Sequence, residues 1–226
     1  MKPSVPLVVV VREAVLLSIP MTDDQTLIAK LRSGGDQALA DAMAEHAPRL
    51  RQIVELRVDP RLSGRLDVND VLQEAFLEAR KRLARYLENA SVSVFVWLRG
   101  VVLDTLSDFH RQHLGAKMRA AGQEVSLHRA ATTQASSVAL AAYLIGDLTS
   151  PSQAAIREET ARQIEIVLAG MDEIDREVLI LRHFEQLTND EVATVVGVKK
   201  AAASRRYMRA LARFREVLLA IPGFEQ

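Results

Sequence analysis

The sequence predicts an all-α protein built as two small helical domains joined by a flexible linker, the second domain ending in a helix-turn-helix. Three observations predict it. Apolar residues recur at spacings of three and four through most of the chain. Leucine, alanine, valine and arginine dominate, whereas aromatic residues make up 4% and only 10 of the 226 residues are glycine. Between residues 120 and 154 the only full charges are Glu124, Arg129 and Asp147, among many Ala, Ser and Thr, which is the composition of a linker. The organisation that follows is an extension over 1–21, a helical domain over 22–119, a linker over 120–151 and a second helical domain over 152–220.

The first twenty residues differ from the rest. Lys2 and the apolar run Leu7–Val11 hint at a signal peptide, but Arg12 and Glu13 interrupt the run and no small-residue cleavage site follows. The run is too short to span a bilayer, which takes about 20 apolar residues. Met21 resembles a natural start, so the stretch reads as a flexible extension or as the product of an upstream start codon. With Thr22 as cap, a helix runs from Asp23 to about Arg32, and Ser33-Gly34-Gly35-Asp36 turns the chain. A second helix from Asp36 presents Leu39, Ala42, Met43, Leu50, Ile53 and Val54, with a kink expected at Pro48. Asp59-Pro60 and Ser63-Gly64 mark a loop.

Asp67 then caps the clearest helix of the chain. Val68, Val71, Leu72, Ala75, Phe76, Ala79, Leu83 and Tyr86 form its apolar stripe. Its other side runs from acidic (Asp70, Glu74, Glu78) to basic (Lys81, Arg82, Arg85), as the helix dipole favours. In the next segment Val94, Leu98, Val101, Val102, Thr105, Leu106 and Phe109 face a core. The sequence there changes to His110, Arg111, His113, Lys117 and Arg119, a basic end after a buried beginning. Trp97, about one turn from Val101, is of a kind found more often in cores or at their edges than stacked on a base.

The second domain reads as four helices. Thr149-Ser150-Pro151-Ser152 starts one that runs to about Ala169, with Ile156, Ile164, Val167, Leu168 and Met171 inward, and Asp175 opens the next. Thr188 caps a third, with Glu191 at the capping-box position, and Gly197-Val198 ends it. In the last, Ala203, Tyr207, Ala210, Leu211 and Phe214 make the apolar face and Arg205, Arg206, Arg209 and Arg213 lie opposite. From Leu187 to Arg215 seven bases (Lys199, Lys200, Arg205, Arg206, Arg209, Arg213, Arg215) face two acids, Asp190 and Glu191, a net +5 in a chain whose net charge is zero. A helix-turn-helix with a cationic second helix has the geometry to enter a DNA major groove, its arginines gripping phosphates and reading guanine edges. A basic solvated helix packed on two others would look similar. Residues 155–177 carry seven acids and three bases, and this segregation suggests separate faces for separate partners.

Other chemistry is not legible. No cysteine occurs, which excludes disulfides, thiol nucleophiles and thiolate metal sites and suits a reducing cytoplasm. No glycine-rich phosphate loop is present, and the five histidines lack the neighbours of a metal site. No catalytic constellation, cofactor or small-molecule substrate is indicated. Zero net charge argues against indiscriminate coating of nucleic acid.

The order DVNDVLQEAFLEAR, FVWLRGVVLDTLSDFHRQH, a low-charge linker, SPSQAAIREE and DEIDREVLILRHFEQLTNDEVATVVGVKKAAASRRYMRALARFRE closely resembles the extracytoplasmic-function (ECF) group of bacterial RNA polymerase sigma factors, in the variety with a longish linker. The resemblance covers about residues 22–219 and is most specific at DREVLILRHFEQLTNDEVATVVGV. It implies a non-catalytic cytoplasmic protein whose partners are core RNA polymerase, promoter DNA and an anti-sigma factor. The two domains would correspond to sigma regions 2 and 4. By resemblance, the Asp67–Arg85 helix docks on the polymerase largest subunit through Asp70, Gln73, Glu74 and Glu78. The Val94–Arg119 helix would bind and open the minus-ten element through Trp97, Arg99, His110, Arg111, His113, Lys117 and Arg119. The final helix would read the minus-thirty-five element through Lys199, Lys200, Ala202, Ser204, Arg205, Arg206, Arg209 and Arg213. The acidic 155–177 stretch would lie away from DNA.

The sequence also departs from the family. Lys199 stands where Ser or Thr usually caps the recognition helix, a loss of about 1 kcal/mol of capping. Ala203 replaces a larger aliphatic residue, which implies looser packing, and Val92–Val96 is more apolar than usual. The alternative reading is an ordinary helix-turn-helix regulator with an N-terminal helical sensor or dimerisation domain. The acidic helix and the basic-ended helix distinguish the two, because a sensor domain needs neither.

Overall fold

The computed structural model describes residues 24–59, 61, 62, 64, 66–118, 162, 166, 168 and 170–220, with backbone alone at 114–118 and 217–220. The described residues form six α-helices and no strand, in two units of three helices each. The extension, the proposed linker and the helix expected from residue 149, apart from its last turn, lie outside them, as do Thr22 and Arg119.

Gly35 sets the form of α1 (Asp24–Arg57). Its backbone sits at φ 52° and ψ −129°, a region that glycine enters without steric cost, and it bends one continuous helix into two segments. The turn expected at 33–36 is therefore this bend. Leu27 and Leu31 before it, and Leu39, Leu50, Ile53 and Val54 after it, are buried. Pro48 lies inside the second segment, which stays helical on both sides of it.

In α2 (Val68–Glu88) the Asp67 carboxylate accepts the Asn69 amide at 2.8 Å, and Val71, Ala75, Ala79, Leu83 and Tyr86 are buried, as the periodicity predicts. Tyr86, in the last turn, donates its hydroxyl to Val92 O at 2.9 Å, and Trp97 stacks on its ring at 4.3 Å. Burial pushes the Tyr86 phenol above its ordinary pKa. α3 (Val94–Met118) starts with the Val94 amide donating to the Asp24 carboxylate of α1 at 2.8 Å. Val94, Leu98, Val101, Val102 and Leu106 complete the core of this unit, together with Phe95, which the stripe omitted. The ion pairs Arg80–Asp36 and Arg82–Asp104 tie α2 to its two neighbours at the surface.

The second unit contains α4 (Glu173–His183), α5 (Asn189–Val196) and α6 (Lys200–Ala220). Its core holds Leu168, Val178, Ile180, Leu181, Phe184, Leu187 and Val192. α4 begins earlier than expected: Asp172, not Asp175, is the cap, accepting the amides of Ile174 at 3.0 Å and Asp175 at 3.3 Å. Arg176 is buried behind that cap and donates to Leu168 O at 2.9 Å; desolvation lowers its pKa below the usual arginine value.

Candidate nucleic-acid interface

The turn that presents α6 is built by three local devices. Thr188 and Glu191 make a reciprocal capping box, with Glu191 Oε2 accepting the Thr188 amide at 2.8 Å and Thr188 Oγ1 accepting the Glu191 amide at 3.3 Å. Gly197 closes α5 at φ 71°, the left-handed conformation that a Cβ would oppose, while the Val198 amide donates to Ala193 O at 2.9 Å. α6 then starts with Lys199 O accepting the Ala202 and Ala203 amides at 2.8 and 3.0 Å. Lys199 has no side-chain acceptor to offer the other amides of this first turn, so Lys199→Ser is expected to stabilise this unit by about 1 kcal/mol. A chemical-denaturation midpoint followed by helical circular dichroism checks it, and an unmoved midpoint would show that solvent already satisfies the turn.

The placement of α6 divides its side chains. Ala203 and Ala210 are fully enclosed, and Tyr207, Leu211 and Phe214 are half-buried. The Tyr207 hydroxyl and His183 Nε2 lie 3.2 Å apart, and burial together with the Arg182 cation pushes the His183 pKa down to about 4. Lys199, Lys200, Ser204, Arg205, Arg209 and Arg213 are exposed, while Ala202 is only half-exposed. Met208 was not singled out by the sequence, yet it stands 62% exposed among them. A methionine at helical spacing ordinarily belongs to a core, and nothing local in the sequence marks this one as exposed.

Two of the expected DNA contacts are engaged elsewhere. Arg209 grips Asp175 with both arms, Nε to Oδ2 at 2.7 Å and Nη2 to Oδ1 at 2.8 Å. Arg206 donates to Asp175 Oδ1 at 2.9 Å and reaches Asp172 at 3.3 Å. The acidic stretch therefore does not keep wholly to a face of its own; its last turn holds the recognition helix. The hydrogen bonds from Arg209, foremost, and Arg206 hold the Asp175 carboxyl below its ordinary pKa against the opposing effect of burial. Lys200 also pairs with Asp190 at 2.8 Å, but both groups are largely exposed, a setting in which such pairs are worth about 0–1 kcal/mol.

The residues expected at the minus-ten element separate into two sets. Arg99 and His110 are buried, which removes them from the surface that the expectation requires. His110 uses Nε2 to accept the Asp59 amide at 3.2 Å and so secures the loop after α1, whose Asp59 carboxylate is held by Arg61. Asp59 and His110 are 51 positions apart, so no spacing rule connects them. Trp97 is half-buried on Tyr86, Arg111 is exposed and paired with Asp108, and His113 is exposed beside Phe109. The side chains of Lys117 and Arg119 lie outside the described residues.

On α2, Asp70, Gln73 and Glu74 are exposed on one face with Glu78, which is half-buried and paired with Lys81 at 2.6 Å and with Arg82 at 3.5 Å. Leu77, 43% exposed and outside the apolar stripe, lies within this acidic face. Among the described residues no group of His, Asp or Glu could hold a metal ion, and no helix is long and apolar enough to cross a membrane.

The chain is similar to known proteins in sequence and in fold. The family model for sigma-70, region 4, matches residues 161–214, which contain α4, α5 and most of α6. A protein named probable RNA polymerase sigma factor RfaY, of Xanthomonas campestris pv. campestris, is 30% identical over 151 residues. That match takes in 66% of this chain but only 34% of the relative, so the chain spans about a third of its length. RNA polymerase sigma-H factor of Pseudomonas aeruginosa is 23% identical, with 77% of this chain and 89% of the relative aligned. RNA polymerase sigma factor CnrH of Cupriavidus metallidurans is 26% identical, with 88% and 96% aligned. The fold is similar to that of CnrH solved in complex with the cytosolic domain of CnrY, with a TM-score of 0.51 at 23% identity over 88% of this chain and 99% of that one.

Proposed function

We infer, for a chain that belongs to the RNA polymerase sigma factors, that it binds core polymerase, directs it to particular promoters and assists their melting. The observation that carries the reading is the second unit: a capped helix-turn-helix whose second helix exposes Lys199, Lys200, Ser204, Arg205 and Arg213. Such a helix enters a major groove, with cations on phosphates and side chains on base edges.

In this reading the first unit does two jobs. The face of Asp70, Gln73, Glu74, Leu77 and Glu78 docks on the largest subunit of polymerase. The exposed end of α3, with Arg111 and His113, meets the minus-ten element, and Trp97 lies close enough to the surface to stack on an opened base. Arg99 and His110 act from within, by fixing α3. The work of such a factor is recruitment, without catalysis, and takes place in the cytoplasm. The CnrH–CnrY complex and the ECF resemblance support a protein partner of the anti-sigma kind for this chain as well.

The test is association of the purified chain with core RNA polymerase followed by run-off transcription on genomic fragments. Transcripts that appear only when the chain is added are expected. DNA binding without polymerase binding would replace this reading with that of an ordinary regulator.

A further inference from the structure

Seven bases lie on or just before α6, but they are not equally available to DNA. The side chains of Lys199, Arg205, Arg213 and Arg215 form no ion pair or hydrogen bond among the described residues, and Lys200 shares an exposed pair that water and salt easily replace. Arg206 and Arg209 differ because their partner is different. The Asp175 side chain is only 8% exposed, at the first turn of α4, and receives three charged hydrogen bonds of 2.9 Å or less from these two arginines. A buried carboxylate stripped of its cations is strongly unfavourable. A phosphate that drew Arg209 away would leave Asp175 with half its compensation.

We propose that Asp175 is a positioning residue that holds Arg206 and Arg209 out of the DNA-binding charge of α6 and fixes the rotation of the helix about its axis. The proposal rests on the DNA-binding reading above and deepens it. Arg206 and Arg209 are three residues apart, so they define one edge of the helix. Anchoring that edge to α4 turns Ala201, Ser204, Arg205 and Met208, spaced i, i+3, i+4 and i+7, outward as a single stripe. The bidentate fork of Arg209 sets angle as well as distance. The clasp thus exchanges two units of sequence-blind charge for a defined reading face.

Salt dependence of binding measures the exchange, since each cation on a phosphate contributes about 0.9 to the slope of log Kobs against log salt. The full-length chain is titrated onto a mixed-sequence DNA duplex over a range of salt. Arg205→Ala is expected to lower the slope by about 1 and Arg209→Ala to leave it unchanged. Asp175→Asn is expected to steepen it by about 1–2, because released arginines reach phosphates. A folded Asp175→Asn protein with the parental slope would overturn the clasp. So would an Arg209→Ala loss equal to that of Arg205→Ala, and this comparison decides the matter if Asp175→Asn does not fold. A parental protein whose binding ignores salt would instead defeat the DNA-binding reading itself.

Discussion

Leu98→Ala is expected to destabilise the first unit by about 2–5 kcal/mol. Leu98 is fully enclosed among Val94, Val101, Val102 and the stripes of α1 and α2, so its truncation removes apolar contact and leaves a cavity. The reporter is built in. Trp97 is the only tryptophan of the chain and stacks on Tyr86 within the same unit, so its fluorescence follows that unit's unfolding. A lowered urea midpoint for this signal is the expected result. A shift of less than about 1 kcal/mol would mean that α3 can settle into the space, and that its core is less closely packed than its burial indicates.

Glu74→Lys is expected to weaken association with core polymerase at least tenfold, about 1.4 kcal/mol, if the α2 face docks as proposed. Glu74 is exposed beside Asp70 and Gln73, so reversing its charge changes the field of the face while sparing the core. Charge at an interface rim acts chiefly on association rate and salt dependence, and both are expected to fall. Binding of the same variant to a DNA duplex is expected to be unchanged. Equal loss of both activities would indicate misfolding, and loss of neither would move the docking surface away from α2. Leu77 refines the test: Leu77→Ser keeps every charge, so a loss there identifies an apolar centre within the acidic face.

Much of this organisation was legible because it is local. The Asp67 cap, the Thr188–Glu191 box and the Gly197 turn are dictated by residues within four positions of one another, and each is formed as the sequence predicts. The core stripes of α2 and α3 follow from periodicity alone. What escaped is long-range or polar. Asp175 meets Arg206 and Arg209 across 31 and 34 positions, so no spacing rule connects them. Arg99 and His110 were assigned to the DNA surface by the family resemblance alone, whereas both are buried and His110 finds a backbone amide 51 positions away. The cap of α4 was misplaced because Asp172 and Asp175 both fit the composition of a helix start, and only the fold decides which side chain turns back to the amides. Ala203, where a larger aliphatic residue was expected, is completely enclosed.

The bond from the Val94 amide to the Asp24 carboxylate bears on how the chain can be shortened. It is the start of α1 that supplies an acceptor to the start of α3, 70 residues downstream. A trimmed version that begins after residue 24 would carry all of the side chains proposed above to face DNA and polymerase and still leave the first turn of α3 with an unfilled donor. Trimming back to residue 21 or 22 leaves this acceptor in place, so the boundary between a tolerated and a damaging N-terminal deletion is expected to fall within a few residues of Asp24.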